Sequence, residues 1–243
     1  MDNLAGLAAL LSLVFALVVG ARWVTRRRLP FACWAVGLLI FAAAAAAQSF
    51  GESHGFADHV TLYRIFYLLG GALGVVYLAL GTLYLMAPRR VAHGFALVLA
   101  VFTVVVAIDA FVAPVDPARL TTAAGILGTA YRNAIPLQVA VVAFNIVGTI
   151  IFAGGAAWSG WRFIRRRAGL DRIVSNVLLT AGALVVAAGF SAAKAAGATS
   201  IDPLGGYEAV GVALMFAGFL AVFPVRARMP RESNLPSAAA RAR

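Results

Sequence analysis

The sequence predicts an all-α integral membrane protein of seven transmembrane helices, N-terminus outside and C-terminus inside. Three observations carry that prediction. Of 243 residues, 63% are hydrophobic and only 12% charged, with a mean hydropathy of +0.93. Soluble domains average about half apolar and a quarter charged. The apolar residues gather into seven stretches, each near the roughly 20 residues needed to cross a bilayer. The arginines fall almost entirely in alternate connections between those stretches. This composition excludes an ordinary soluble enzyme, a disordered chain and a fibrous one.

In chain order the spans are 4–24, 31–50, 61–86, 91–113, 135–158, 173–194 and 204–224. None alternates with the period of two that a membrane β-barrel requires. Span 1 does not read as a cleaved signal peptide, because Asp2 precedes the apolar run and the positive charge follows it. Span 2 holds the single cysteine, Cys33, which excludes an intramolecular disulfide and reads as a packing residue. Span 3 carries Gly70, Gly71, Gly74 and Gly81, and span 7 carries Gly205, Gly206, Gly211 and Gly218. Small residues such as the Gly70/Gly74 pair let membrane helices approach closely, so spans 3 and 7 are predicted to be central.

The connections set the orientation. Arg22, Arg26, Arg27 and Arg28 follow span 1, Arg89 and Arg90 follow span 3, and Arg162, Arg165, Arg166, Arg167 and Arg172 follow span 5. Arg226, Arg228, Arg231, Arg241 and Arg243 follow span 7. The other side holds only Arg64, Arg119, Arg132 and Lys194. The positive-inside rule places the arginine connections in the cytoplasm, consistent with a plasma membrane of bacterial type. The net charge of +11 is therefore a topology signal and not a nucleic-acid footprint. A reporter fused to the C-terminus should be read out as cytoplasmic, and one in the 115–130 loop as external. An external signal from the C-terminus would overturn the orientation. The tail 225–243 is rich in Arg, Pro, Ser and Ala. It is expected to be disordered and attracted to anionic lipids.

A repeat is also visible. Arg165–Arg167 lies 139 positions after Arg26–Arg28, and Tyr207 and Gly211 lie 140 after Tyr67 and Gly71. The seven-helix domain 1–224 then divides into a repeat at 4–86, a linker helix at 91–113 and a parallel repeat at 135–224. In organisation, this 3+1+3 arrangement with an outer N-terminus resembles the SWEET-type sugar transporters and the wider set of seven-helix transporters and opsins. Spans 1, 2, 5 and 6 have no internal proline, so the SWEET Pro-Gln signature is missing. Span 7 has no lysine to hold retinal. The residues name no family.

Ionisable residues inside a span are costly and usually face the protein interior. Arg64, Asp109 and Glu208 each lie about five residues inside the outer end of their spans. That is roughly 7 Å deep at 1.5 Å per residue. They are predicted to converge in one outer cluster or vestibule. Asn145 falls near the midplane of span 5 and Gln48 near the outer end of span 2. Either amide can hold helices together or contact a solute. Tyr67 is a candidate lining residue, whereas Tyr63 and Tyr84 read as interface aromatics. Lys194, at the outer end of span 6, is expected to reach to the interface.

Two outer loops carry further expectations. Glu52, His54, Asp58 and His59 offer nitrogen and oxygen donors for zinc, nickel or copper at an outer surface, although their spacing matches no zinc signature. His93 lies at the opposite side of the membrane, which argues against a three-histidine intramembrane hydrolase. In the 114–134 loop, Asp116 as N-cap and Pro117 at the first helical position predict a short helix. That helix is expected to continue through Leu120, Ile126 and Leu127 as an outer cap. No phosphate loop, nucleophile elbow or dinucleotide fingerprint occurs, and no cofactor is implied. The leading functional expectation is a small-solute or ion transporter with an outward-facing polar vestibule. The alternative is a non-catalytic sensor or accessory subunit, with an oligomer or partner subunit as its context.

Overall fold

A computed structural model describes residues 3–122, 125–166, 169–195 and 202–222. The C-terminal tail, Arg167 and the side chain of Lys194 lie outside the described residues. Seven helices are long and apolar enough to cross a membrane. They are α1 (Leu4–Arg26), α2 (Leu29–His54), α3 (Val60–Met86), α4 (Arg89–Val112), α5 (Ile135–Arg165), α6 (Leu170–Ala195) and α7 (Asp202–Val222). The chain is an integral membrane protein.

Local chemistry sets the helix ends. Asn3 caps α1 by accepting the Gly6 N–H at 2.8 Å, and Arg27 ends it in a left-handed conformation. Pro30 stands in the first turn of α2, where its missing N–H is no loss. Pro136 does the same in α5. The start of α5 is capped from another helix: the Leu137 N–H donates to Asp109 Oδ2 at 2.9 Å. Helix α5 continues to Arg165, beyond the predicted end at 158, and Arg165 lies over the Trp161 ring at 4.9 Å. That aromatic-and-arginine end suits an interface better than hydrocarbon.

The helices touch in a cyclic order: α1 on α2, α2 on α3, α3 on α5, α5 on α6, α6 on α7, and α7 back on α1. Six helices thus form a ring, and α4 packs outside it against α3 and α5. One polar tie, Tyr77 Oη with Thr103 Oγ1 at 3.2 Å, helps hold α4 in place. The rest of α4 presents Val98, Val101, Val105 and Ile108 outward, as a lipid-facing helix should. Helices α3 and α7 are the most buried of the seven, as the glycine pattern predicts.

Those glycines sit at tight crossings. Gly70 faces the Ala44 side chain and Gly74 faces Phe41, both on α2. Gly182 of α6 and Gly211 of α7 bring backbone against backbone. Within α3, Tyr67–Leu73 forms a π-helical turn between two α-helical segments. Such turns lodge one extra residue and redirect carbonyls away from the regular ladder.

Candidate functional site

The ring encloses a cavity of about 480 Å³. Its wall takes Leu38 and Phe41 from α2, the π turn of α3, Val141 to Phe152 of α5, Ala183 to Ser191 of α6, and Val212 and Met215 of α7. The surface is overwhelmingly apolar. Its polar side chains are Tyr67, Asn145, Thr149 and Ser191. Concave, mostly apolar surfaces with a few polar groups are the usual form of small-molecule sites.

The cavity is not sealed. Val142, Ile146 and Ile150 line it while exposing 54%, 55% and 66% of their surface. They lie 7 to 15 residues along α5, roughly 10–22 Å from its start. Near the arginine end, by contrast, α5 and α6 close up, with a Cβ at Gly160 falling 3.2 Å from that of Asn176. Side chains of α5 that line the cavity are thus also exposed along the middle of that helix.

Along the axis the cavity is closed by the 114–134 loop. Asp116 does cap the turn that begins at Pro117, accepting the Ala118 N–H at 3.2 Å. The predicted continuous helix through Leu127 does not form. A five-residue 3-10 turn ends at Thr121, Thr122 is extended, and a separate turn follows at Gly125–Thr129. A glycine is needed at 125, because a Cβ there would collide with the Arg119 carbonyl. Gly128 adopts φ +128° directly above the Tyr67 hydroxyl. The loop is no loose surface cap: Leu120, Leu127, Tyr131 and Ala134 are buried.

Three tyrosines seat this plug. The rings of Tyr63, Tyr67 and Tyr131 lie 5.2–5.9 Å apart. Tyr63 Oη donates to the Gly125 carbonyl at 3.3 Å and Tyr131 Oη to the Ala110 carbonyl at 2.9 Å. Tyr63 is fully buried, which corrects its assignment as an interface aromatic. Tyr84 is half-buried and hydrogen-bonded to His93. Burial raises the Tyr131 phenol above its ordinary value, so it stays neutral.

On the exposed side of the plug, Arg132 donates to Asp116 Oδ2 at 2.6 Å and Arg119 lies 3.5 Å from the same oxygen. The hydrogen bond from Arg132, reinforced by the Arg132 charge, the Ala118 N–H and the Arg119 charge, holds the Asp116 carboxyl below its usual range. A carboxyl depressed in the folded state stabilises above its unfolded value of about 3.9 and is lost as pH falls through the depressed value. The loop should therefore resist proteolysis from neutral pH down to about pH 4 and open only below it. Asp116→Asn should make it labile at neutral pH. Equal cleavage of both proteins at neutral pH would show that the clasp does nothing.

The predicted three-residue cluster divides. Arg64 donates to the Ala110 carbonyl at 2.5 Å and lies 6.0 Å from the Tyr131 ring, beneath the plug. Asp109 occupies the same region but spends an oxygen on capping α5. No ion pair within 4 Å joins Arg64, Asp109 or Glu208 to one another. Glu208 faces another part of the molecule, buried at 3% exposure within electrostatic reach of Glu52. A similar position along the helices does not imply a shared direction: α3 packs between α2 and α5, while α7 packs between α6 and α1.

Asn145 reaches the cavity wall, but its Nδ2 donates to the Gly71 carbonyl at 2.5 Å and to Val141 at 2.7 Å. It serves the π turn. Gln48 lies outside the cavity and donates from Nε2 to Glu52 Oε1 at 2.8 Å. The histidine loop does not assemble a metal site. His54 stacks on Phe50 at 4.1 Å and His59 meets the edge of the same ring at 5.3 Å. The ring separates the two imidazoles, Glu52 is turned toward Gln48, and no three His, Cys, Asp or Glu side chains gather among the described residues. The exposed cavity-lining row of α5, which sequence reasoning missed, has one signal: Val142, Ile146 and Ile150 form an apolar i, i+4, i+8 row beside Asn145 and Thr149. No protein-family model, curated protein or solved structure matches the chain.

Proposed function

We propose that this protein is a membrane carrier for a largely apolar small molecule that enters from the bilayer. One observation carries the reading: Val142, Ile146 and Ile150 line the apolar cavity and are also exposed along the middle of α5, while Leu127 of the 114–134 loop closes the cavity's end. A hydrated ion or sugar would meet almost no polar partner there and would have to cross lipid to arrive. An apolar molecule already concentrated in the membrane meets neither obstacle. The polar groups Tyr67, Thr149 and Ser191 suit a ligand with one hydroxyl or carbonyl.

The helix order supports a parallel repeat as the frame of such a carrier. In α2/α3, Gly37 packs on Leu78 and Ala44 on Gly70. In α6/α7, Leu178 packs on Gly218 and Val186 on Gly211, each residue 140 to 142 positions later. A cyclic order in which α1, α2, α3 correspond to α5, α6, α7 accommodates a pseudo-two-fold axis through the cavity. The arginine end is read as cytoplasmic and drawn to anionic lipids.

The purified protein, titrated with a short isoprenoid alcohol and a short-chain quinone, should be stabilised against unfolding. A ligand at 100 times its Kd adds about 2.7 kcal/mol. Ala187→Phe, which fills the cavity from α6, should remove the effect without unfolding the ring. No stabilisation by either probe, or the same stabilisation in Ala187→Phe, would defeat the proposal. A sensor is the second reading, favoured by the tightly clasped plug. It predicts binding of the same probes without accelerated movement between liposomes.

A further inference from the structure

The polar side chains of the cavity can be accounted for donor by donor. Asn145 spends its amide on the Gly71 and Val141 carbonyls. The Ser191 hydroxyl donates to the Ala187 carbonyl at 3.1 Å. At the plug, Tyr63 and Tyr131 donate to the Gly125 and Ala110 carbonyls. Tyr67 packs against both of those rings, yet among the described residues its own hydroxyl has no hydrogen-bond partner. Tyr67 lines the cavity and is only 5% exposed.

Geometry places that hydroxyl at the plug end. A long side chain leans toward the start of its helix. In accord with this, a Cβ at Gly128 would fall 2.5 Å from Tyr67 Oη, so the glycine keeps the space beside the hydroxyl open. Among the described residues, the other unspent hydroxyl of the wall is that of Thr149, and it lies farther from the plug. Gly148 meets Val75 and Val76, and Gly155 meets Thr82, so α3 and α5 run parallel at a constant offset. Thr149 is thus level with Val76, nine residues beyond Tyr67. That is roughly 13 Å along the axis. Apolar residues, among them Val141, Val142 and Ile146, line the stretch between.

We propose that Tyr67 is the recognition residue of this cavity, donating a hydrogen bond to the carbonyl oxygen of a ketone, quinone or ester at the plug end, with the apolar remainder of the ligand running along α5 toward Thr149. The proposal rests on the carrier reading of the cavity and adds to it a chemical class and an orientation. A buried hydroxyl without a partner is costly, and a carbonyl oxygen removes that cost. A phenol donates more readily than it accepts, so an acceptor is the better match. A pure hydrocarbon fits the wall equally well but leaves the phenol unpaired.

The test uses the full-length protein in lipid nanodiscs, titrated with a long straight-chain methyl ketone and with the alkane of equal length at matched mole fractions in the lipid. Affinities follow from the shifts in thermal midpoint. The ketone should bind roughly three- to tenfold more tightly than the alkane, as one net hydrogen bond allows. Its infrared carbonyl stretch should move to lower frequency on binding. Tyr67→Phe should abolish the ratio by weakening the ketone alone. Having lost only an unpaired hydroxyl, it should melt no lower than the native protein without ligand. Thr149→Val should keep both the ratio and the shifted stretch, which tests the assignment even where Tyr67→Phe fails to fold. Equal binding of the two probes, or an unshifted stretch, overturns the role of Tyr67 while leaving an apolar carrier site. A ratio lost in Thr149→Val and kept in Tyr67→Phe overturns it by reversing the ligand. Binding of neither probe defeats the carrier reading and this proposal with it.

Discussion

Gly182→Leu should destabilise the protein by about 3 kcal/mol, at the upper end of the range for overpacking a close-packed site. A Cβ at Gly182 collides with the Gly211 carbonyl oxygen and lies 3.0 Å from the Met215 backbone nitrogen. Neither neighbour is a flexible side-chain tip, so relief requires α6 and α7 to separate. Gly94 of α4 is the control, since a Cβ there meets nothing within 4 Å. Gly94→Leu should stay within about 0.5 kcal/mol of the native protein, as exposed substitutions do. Denaturant unfolding in mixed micelles measures both. Similar losses for the two variants would mean that the α6/α7 crossing is not held by close backbone approach.

Asn145→Leu is expected to cost about 1–2 kcal/mol and to loosen the π turn of α3. The turn presents the Gly71 carbonyl to Asn145, and a leucine leaves that acceptor without this donor inside the membrane. Amide exchange should rise around 71–75 while distant helices remain protected. If Asn145 acted as a solute contact instead, the variant would keep its stability and its exchange pattern and lose only ligand binding. That outcome would return Asn145 to the role of a binding residue.

The large features were legible because one physical rule governs each. Twenty apolar residues cross a bilayer whatever surrounds them, so α1 to α7 could be read from composition alone. Position along each helix could also be read, since rise per residue is fixed. Direction around the helix axis could not. Arg64 and Glu208 were placed in one company that the structure divides, because no local rule says which neighbours α3 and α7 choose. The π turn was hidden for a related reason: its partner Asn145 is 74 positions away from Gly71. The plug was half legible. Asp116-Pro117 announces a turn, but Leu120, Leu127 and Tyr131 do not reveal that they will be buried until the mouth they fill exists.

The cyclic helix order has a consequence for biogenesis. The ring closes through α1 and α7, the first and last of its six helices, whose contact spans nearly the whole described chain. Contacts between distant segments form late, after their loop-closure entropy has been met. As the chain emerges, α1 to α3 and then α5 and α6 assemble as an open arc, its concave side filled by lipid. Only the arrival of α7 turns the arc into an enclosure. A ribosome paused before residue 202 thus leaves a grooved intermediate, and the first molecule to occupy the cavity is whatever the bilayer had placed in that groove.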